Sequence, residues 1–353
     1  MNFLEIIALT LNSLICIPSI ASFTKYDYWW IRGFDFPRIQ IVSLIVLNIA
    51  LAFYAYNFGS NWHFIILAML CLSLLYQLVL IYPYTFFAKK QVINYAGKPN
   101  DNTISILVSN VLMTNTKYQK LIDLTLSKNP DILLTLETNK TWEDAICILE
   151  HNYQHCVKIP LENLYGMHLY SKLPLENVAV KYLISNEIPS IHGTLVLHNG
   201  MKVSFHCIHP KPPSPTESKK TTNRDAEILL TAKEIKKDLD LVLVFGDFND
   251  VAWSRITNLF QKVSGLMDPR RGRGFFNTYN ANHTFLRWPL DHVFHSDNFT
   301  LIEIAREKNI GSDHFPMYIK LNYTPSAKNS QHKLKLDADE KETANKKIKN
   351  AKK

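Results

Sequence analysis

A chain of 353 residues with 47% hydrophobic side chains has room for a large globular domain and a separate apolar region. The net charge of +8 does not by itself argue for a nucleic-acid binder. Residues 324–353 carry +5 of it, nine lysines against four acids, which leaves +3 for everything else. Five cysteines, an odd number with no CxxC, give neither a disulfide framework nor a zinc knuckle.

The first ninety or so residues read as a membrane region. Phe3 to Phe23, Ile39 to Phe58 and His63 to Tyr82 are each about as long as the roughly 20 residues a spanning helix needs. Glu5 is the only Asp, Glu, Lys or Arg within them. Trp29, Trp30, Trp62, Tyr82 and Tyr84 flank them, where amphipathic rings favour the headgroup zone. Ser19 and Ala21 resemble a signal-peptide cleavage site, but no Lys or Arg precedes the apolar run, so it reads as an anchor. The expected partner is a lipid bilayer and the expected location a multi-pass membrane position, as in a bacterial inner membrane. Lys25, Arg32 and Arg38 share a side with Lys89, Lys90 and Lys98, which puts the carboxyl domain in the cytoplasm by the positive-inside rule.

A polar linker, Gly97 to Asn102, opens a second region of alternating strands and helices ending near residue 323. Strands are expected at Thr103 to Ser109, Asp131 to Leu136, Tyr165 to Ser171, Val178 to Ile184, Ile191 to Leu197 and Val203 to Ile208. Others are expected at Leu241 to Phe245, Leu290 to His295, Phe299 to Ile304 and Phe315 to Leu321. Helices are expected from Tyr118 to Thr125, from Thr141 (as the cap) to Glu150, and from Thr222 to Asp238. Asn199-Gly200 marks a hairpin. The Lys-rich residues 324–353 lack apolar periodicity and are expected to be disordered. Arg270, Arg271 and Arg273 sit among glycines, as a solvated loop or as a rim gripping phosphate.

The stretch LVLVFGDFND is a buried strand that delivers Asp247 and Asn249 at its end, where alternation would aim both at one point. Asn110, Glu137, His209, Asp291, Asp313 and His314 also lie at or beside the ends of expected strands. One such residue is ordinary turn chemistry; eight with this mixture of carboxylate, amide and imidazole are not. His206, Cys207 and His209 are spaced like zinc ligands. Alternation, however, separates His206 from the other two and a fourth ligand is missing.

The pieces SNV with Asn110, LET with Glu137, HCIHP with His209, GDFND, LDHVFHS with Asp291 and GSDHFPM resemble the endonuclease/exonuclease/phosphatase superfamily, from about Thr103 to Leu321. The resemblance implies an α/β four-layer sandwich, two packed β-sheets flanked by helices. It implies divalent-metal-dependent hydrolysis of a phosphoester by water, with Mg²⁺ (or Mn²⁺) as the cofactor. All-oxygen ligands suit that ion, with Glu137 first and Asn110 and Asp313 beside it. His314 is the expected general base or water-orienting group, with Asp291 fixing its tautomer. Asp247 and Asn249 would position the water, and His209 would donate to a phosphate oxygen or the leaving group. The short HPKPPSP loop after His209 is similar to membrane-anchored members of the superfamily, whose catalytic domain faces outward, the reverse of the charge rule. The substrate is thus a phosphoester of a nucleic acid, a phospholipid or a lipid-linked phosphate, with no obligate protein partner. The alternative is a non-catalytic, membrane-tethered binding protein on the same fold.

Overall fold

The three long apolar stretches are helical in the computed structural model, which describes residues 2–235 and 241–351. The first is broken at Ile15 and Cys16 into α1 (Phe3–Leu14) and α2 (Ile17–Phe23), just before Pro18. A short α3 (Trp29–Arg32) precedes α4 (Arg38–Ala55) and α5 (Asn61–Ile81). Phe3–Phe23, Arg38–Ala55 and Asn61–Tyr84 are long and apolar enough to cross a membrane. Phe3, Leu11, Leu47, Leu72 and Val79 are exposed on their outer faces, while Asn12, Ser19, His63 and Gln77 are buried between them. This polarity is the inverse of a water-soluble bundle and suits a hydrocarbon surround.

The second region places β1 (Thr103–Asn110), α6 (Tyr118–Lys128), β2 (Ile132–Leu136), α7 (Lys140–Ala145), β3 (His155–Ile159) and β4 (Met167–Ser171) in chain order. Then come β5 (Leu175–Lys181), β6 (Ser190–Val196), β7 (Lys202–Cys207), α8 (Thr222–Ile235), β8 (Val242–Asp247) and α9 (Arg255–Ser264). The series ends with β9 (Asp291–His295), β10 (Phe299–Arg306), β11 (Met317–Tyr323) and α10 (Ala338–Ala351). The strands form a six-stranded sheet, β10-β11-β1-β2-β4-β3, and a five-stranded sheet, β5-β6-β7-β8-β9. Alternate residues make the buried core between them, including Ile106, Val108 and Leu134 from one sheet and Phe205, Leu243 and Phe245 from the other. Leu107, Leu133 and Tyr318 on the outer face of the first sheet are covered by Leu121 and Ile122 of α6 and by Trp142 of α7. Val242 and Val244 on the outer face of the second are covered by α8 and α9, through Ile228, Leu229, Ile256 and Phe260. The four-layer expectation is met.

Several local expectations change. The helix expected to be capped by Thr141 begins two residues earlier, at Lys140. Its cap is Asn139, whose side chain accepts from the Trp142 N–H, and it shortens into a 3-10 turn after Ala145. Strand β3 and helix α9 were not anticipated; α9 begins at Ser254, whose Oγ accepts from Thr257 N at 2.9 Å, and stops at left-handed Gly265. The last residues of the expected 222–238 helix, 236–238, lie outside the described residues.

The tail is the largest departure. Instead of disorder, residues 338–351 form α10, which buries Ala344 and Ile348 against α8 and α9. Lys347 Nζ reaches Asp225 Oδ2 and Asp27 Oδ1, each at 2.7 Å. A narrow apolar stripe and one lysine shared between buried Asp225 and half-buried Asp27 supply what low overall hydrophobicity hid.

The apolar helices and the sandwich share an interface. Tyr84 donates to Ala252 O at 2.6 Å, and Trp253 Nε1 donates to Asp35 O at 2.7 Å. Phe36 and Ile39 pack with Trp253, Leu290, Tyr279 and Trp288 in one apolar cluster.

Candidate active site

Strands β1 and β2 are parallel, as are β7 and β8, so their carboxyl ends open along one edge of the sandwich. All eight residues singled out in the sequence lie at that edge or on loops leading into it. Asn110 ends β1, Glu137 follows β2 and His209 follows β7. Asp247 ends β8 and pairs in register with Asp291, the first residue of β9.

A continuous polar chain crosses from one sheet to the other. Asn110 Nδ2 donates to Glu137 Oε1 at 2.8 Å and to Asp247 Oδ2 at 3.2 Å. His314 Nε2 lies 3.6 Å from Asp247 Oδ2, and its Nδ1 is 2.8 Å from Asp291 Oδ2. His209 Nε2 approaches the same Asp247 oxygen at 3.9 Å. Asn110, His209, Asp247, Asp291 and His314 are buried, whereas Glu137, Asn249 and Asp313 are half-buried at the opening.

Backbone conformation aims these groups. Glu137 and Asn249 both hold positive φ, 60° and 51°, a costly state for residues with a Cβ and one that concentrates at functional sites. Gly246 has φ 145°, and a Cβ there would meet the Ile208 carbonyl oxygen at 2.1 Å. Only glycine lets β8 run so close to the end of β7. Asp247 and Asn249 do not converge by strand alternation, because β8 stops at Asp247. Instead the chain turns: Asn249 N donates to Asp247 Oδ1 at 2.8 Å, and Asn249 Nδ2 donates to Pro210 O at 3.0 Å.

The electrostatics follow from burial and company. Burial lifts the Asp247 carboxyl well above the usual carboxylate range, with His314 opposing and Asp291 adding to the rise. For His314, burial disfavours the cation, but Asp291 and Asp247 outweigh it and hold the imidazole charged. For His209, burial and the charge on His314 outweigh Asp291 and pull it down to about 4, so it is neutral near pH 7. Burial also raises the Glu137 carboxyl; Asn110 opposes this, and the charge of Asp313 adds to it. Glu137 and Asp313 are therefore two half-buried carboxylates with only His314 set against their charge, a donor set that fits a hard divalent cation. Asp247, Asp291 and His314 also lie close enough to share an ion. Both nitrogens of that imidazole already face carboxylates, which favours the opening over this inner group.

Other contributors were not apparent in the sequence. Tyr279 packs on His314 with ring centroids 4.9 Å apart, and Tyr165 lies 5.4 Å from His209. Ser312 Oγ donates to Asn110 O at 2.8 Å and accepts from His314 N at 3.0 Å, tying the last loop to β1. Arg224, buried, donates to Asn249 O at 2.9 Å and pins the turn that carries Asn249. The arginine run is neither a solvated loop nor a phosphate rim. Arg270 is wholly buried, 2.8 Å from Asp268, and its Nη1 donates to Asp291 O at 3.2 Å, so it braces β9 from behind.

Beneath the site, Glu227 of α8 is 2% exposed, and burial pushes its carboxyl up to about 8. A carboxyl with a raised folded pKa stabilises the fold in its protonated form. That stability is present below the ordinary value of 4.5 and is lost as the pH climbs from there to about 8. The variant Glu227→Gln removes the dependence. Its melting temperature is expected to exceed that of the wild type at pH 8 and to match it near pH 4.5, as differential scanning fluorimetry in detergent can check.

The profile of the Endonuclease/Exonuclease/phosphatase family matches residues 107–314, more than half of the chain. No curated protein matches the chain by sequence. Several solved structures are similar in fold. D. rerio TDP2 complexed with single strand DNA product is 16% identical, covering 62% of this chain and 99% of that one with a TM-score of 0.51. The human Nocturnin catalytic domain with bound sulfate anion is 16% identical, covering 69% and 99% with a TM-score of 0.52. The endonuclease/exonuclease/phosphatase protein from Bacteroides vulgatus is 14% identical, covering 63% and 99% with a TM-score of 0.50. With two sheets flanked by helices and a strand-end site within the matched span, the chain belongs to the endonuclease/exonuclease/phosphatase family, whose members hydrolyse phosphoester bonds with divalent metals.

Proposed function

We propose that the protein is a membrane-anchored, Mg²⁺-dependent (or Mn²⁺-dependent) phosphoester hydrolase acting on a substrate held at the bilayer surface. The observation that carries the hydrolase assignment is the polar chain Glu137–Asn110–Asp247–His314–Asp291, spanning both sheets at one edge.

Water attacks phosphorus, a new P–O bond forms, the ester P–O bond breaks and the water's proton must be taken up. Asp247 is our choice of acceptor. It is a buried carboxylate with a raised pKa, while His314, flanked by two carboxylates, is already protonated and better suited to neutralise a phosphoryl oxygen. This reverses the roles first expected for the two. Asp291 orients His314 through Nδ1. Asn249 holds Asp247 through its backbone N–H, Asn110 braces Asp247 and Glu137, and neutral His209 donates to a phosphoryl oxygen. A divalent cation held by Glu137 and Asp313 would neutralise phosphoryl charge.

The bilayer placement rests on Tyr279. Its ring packs on His314, and it shares an apolar cluster with Phe36, just before α4, and Ile39, in its first turn. The neighbouring loop carries exposed Phe285 and Leu286, and Gln40 of α4 donates to the Phe285 carbonyl. The mouth thus borders the headgroup zone.

The test is a substrate panel with the full-length protein in nanodiscs and Mg²⁺. Phosphoinositides and polyprenyl pyrophosphate in the same disc are compared with plasmid, RNA and single-stranded DNA, the last because D. rerio TDP2 holds such a product. Cleavage of a lipid-borne phosphoester ahead of the soluble polymers is expected. Faster cleavage of a polymer would overturn the substrate assignment, and no hydrolysis at all would leave a tethered binding protein.

A further inference from the structure

Away from the catalytic edge, three metal-ligating side chains meet where α8 covers the second sheet. His192 of β6 and His206 of β7 face each other across the strands, with their Nδ1 atoms 2.7 Å apart. Their neighbours Ile191, Phe205 and Cys207 point into the core between the sheets, so alternation turns both imidazoles toward α8. Glu234, in the last turn of α8, brings Oε2 to 3.8 Å from His192 Nδ1. The three ligand atoms lie within 4.8 Å of one another.

Hydroxyl accounting settles the orientation of the first ring. Ser190 Oγ donates its one hydrogen to Lys181 O at 3.1 Å, so at 2.7 Å it accepts from His192 Nε2–H. His192 Nδ1 is then a bare lone pair directed at His206 and Glu234. A ring nitrogen fixed by a hydrogen bond at its far side is the arrangement that orients histidine ligands in metal sites. Burial also keeps both rings neutral, lowering His192 to about 3 and His206 to about 4, so neither needs to lose a net proton to bind.

We propose that His192, His206 and Glu234 bind a zinc ion, with water in the fourth position, fastening the end of α8 to β6 and β7. Two imidazoles and one carboxylate are a borderline donor set that suits zinc, unlike the all-oxygen opening of the active site. Ligand atoms about 2.0–2.1 Å from a tetrahedral ion sit about 3.3 Å apart, so the imidazoles need to part by only about half an ångström. On binding, the proton between the two Nδ1 atoms moves to His206 Nε2. Among the described residues, the cation facing the cluster is Lys181, whose Nζ is 2.9 Å from Glu234 Oε2 and competes with the ion for that carboxylate.

The experiment measures zinc affinity of the full-length protein in detergent against a chromophoric chelator, with excess Mg²⁺ and in a Glu137→Gln background that weakens the catalytic opening. One zinc per chain is expected. His206→Ala should weaken binding at least a hundredfold, and Ser190→Ala by ten- to a hundredfold through loss of ring orientation. Lys181→Met should tighten it by freeing Glu234, a gain that cannot come from damage to the fold. No retained zinc in the parent overturns the proposal. So does wild-type affinity in both His206→Ala and Lys181→Met, which would leave only a hydrogen-bonded cross-strand pair.

Discussion

Asp247→Asn is expected to lower turnover by about a hundred- to ten-thousand-fold, the usual worth of a positioned proton acceptor. The substitution keeps the size of the side chain and its contacts with Asn110 and His314, so the fold should persist. It also removes a carboxylate buried at 1% exposure, so the melting temperature should hold or rise. His314→Gln should cost a comparable factor by removing charge that faces the phosphoryl group. Asp291→Asn should cost less, leaving the imidazole present but poorly oriented. Because the three groups act as a unit, the double variant Asp247→Asn/His314→Gln should be scarcely worse than either single. Turnover in the wild type should fall as the pH drops, since the acceptor must be ionised and burial has raised its pKa. Near-normal turnover in Asp247→Asn, measured on the best substrate beside thermal melting, would refute the assigned role.

Glu137→Gln is expected to raise the Mg²⁺ concentration needed for half-maximal activity by at least tenfold while leaving the fold intact. Glu137 and Asp313 are the half-buried carboxylates at the opening, and neither packs as a core residue. Removing one charge lowers the attraction for a hard cation much more than it changes packing. EDTA should abolish wild-type activity, Mg²⁺ or Mn²⁺ should restore it, and zinc alone should not. Asn110→Asp probes the same opening in the opposite sense. Replacing the amide that bridges Glu137 and Asp247 by a carboxylate sets three negative groups together and should misplace both partners. Full activity of Glu137→Gln in chelator would remove the metal from the scheme.

Much of this site was legible in the linear chain because its information is local. Buried strands such as Leu241 to Phe245 announce themselves as short apolar runs. A polar residue that directly ends such a run, as at Asn110, Glu137 or Asp247, must lie at a sheet edge. The three long apolar stretches were equally plain, since length and lack of charge are properties of a segment alone. What local patterns misjudged were segments stabilised by distant partners. Arg270 read as exposed because its neighbours are glycine and arginine, yet Asp268 and the Asp291 carbonyl receive it in the interior. The tail read as disordered because its apolar stripe is thin, and the surface it covers comes from α8 and α9.

The sequence by itself therefore determined which chemical groups arrive at the strand-end edge of the sandwich, because strand ends and residue types are set by neighbours in the chain. Only the tertiary structure decided which of them meet. Asp247 and Asp291 meet through the pairing of β8 with β9, and His314 enters between them from the loop before β11, in the other sheet. That encounter between sheets keeps the imidazole charged and raises the carboxyl of Asp247. A pKa depends on the charges and burial that surround a group in space, and those were brought together by strands far apart in the chain.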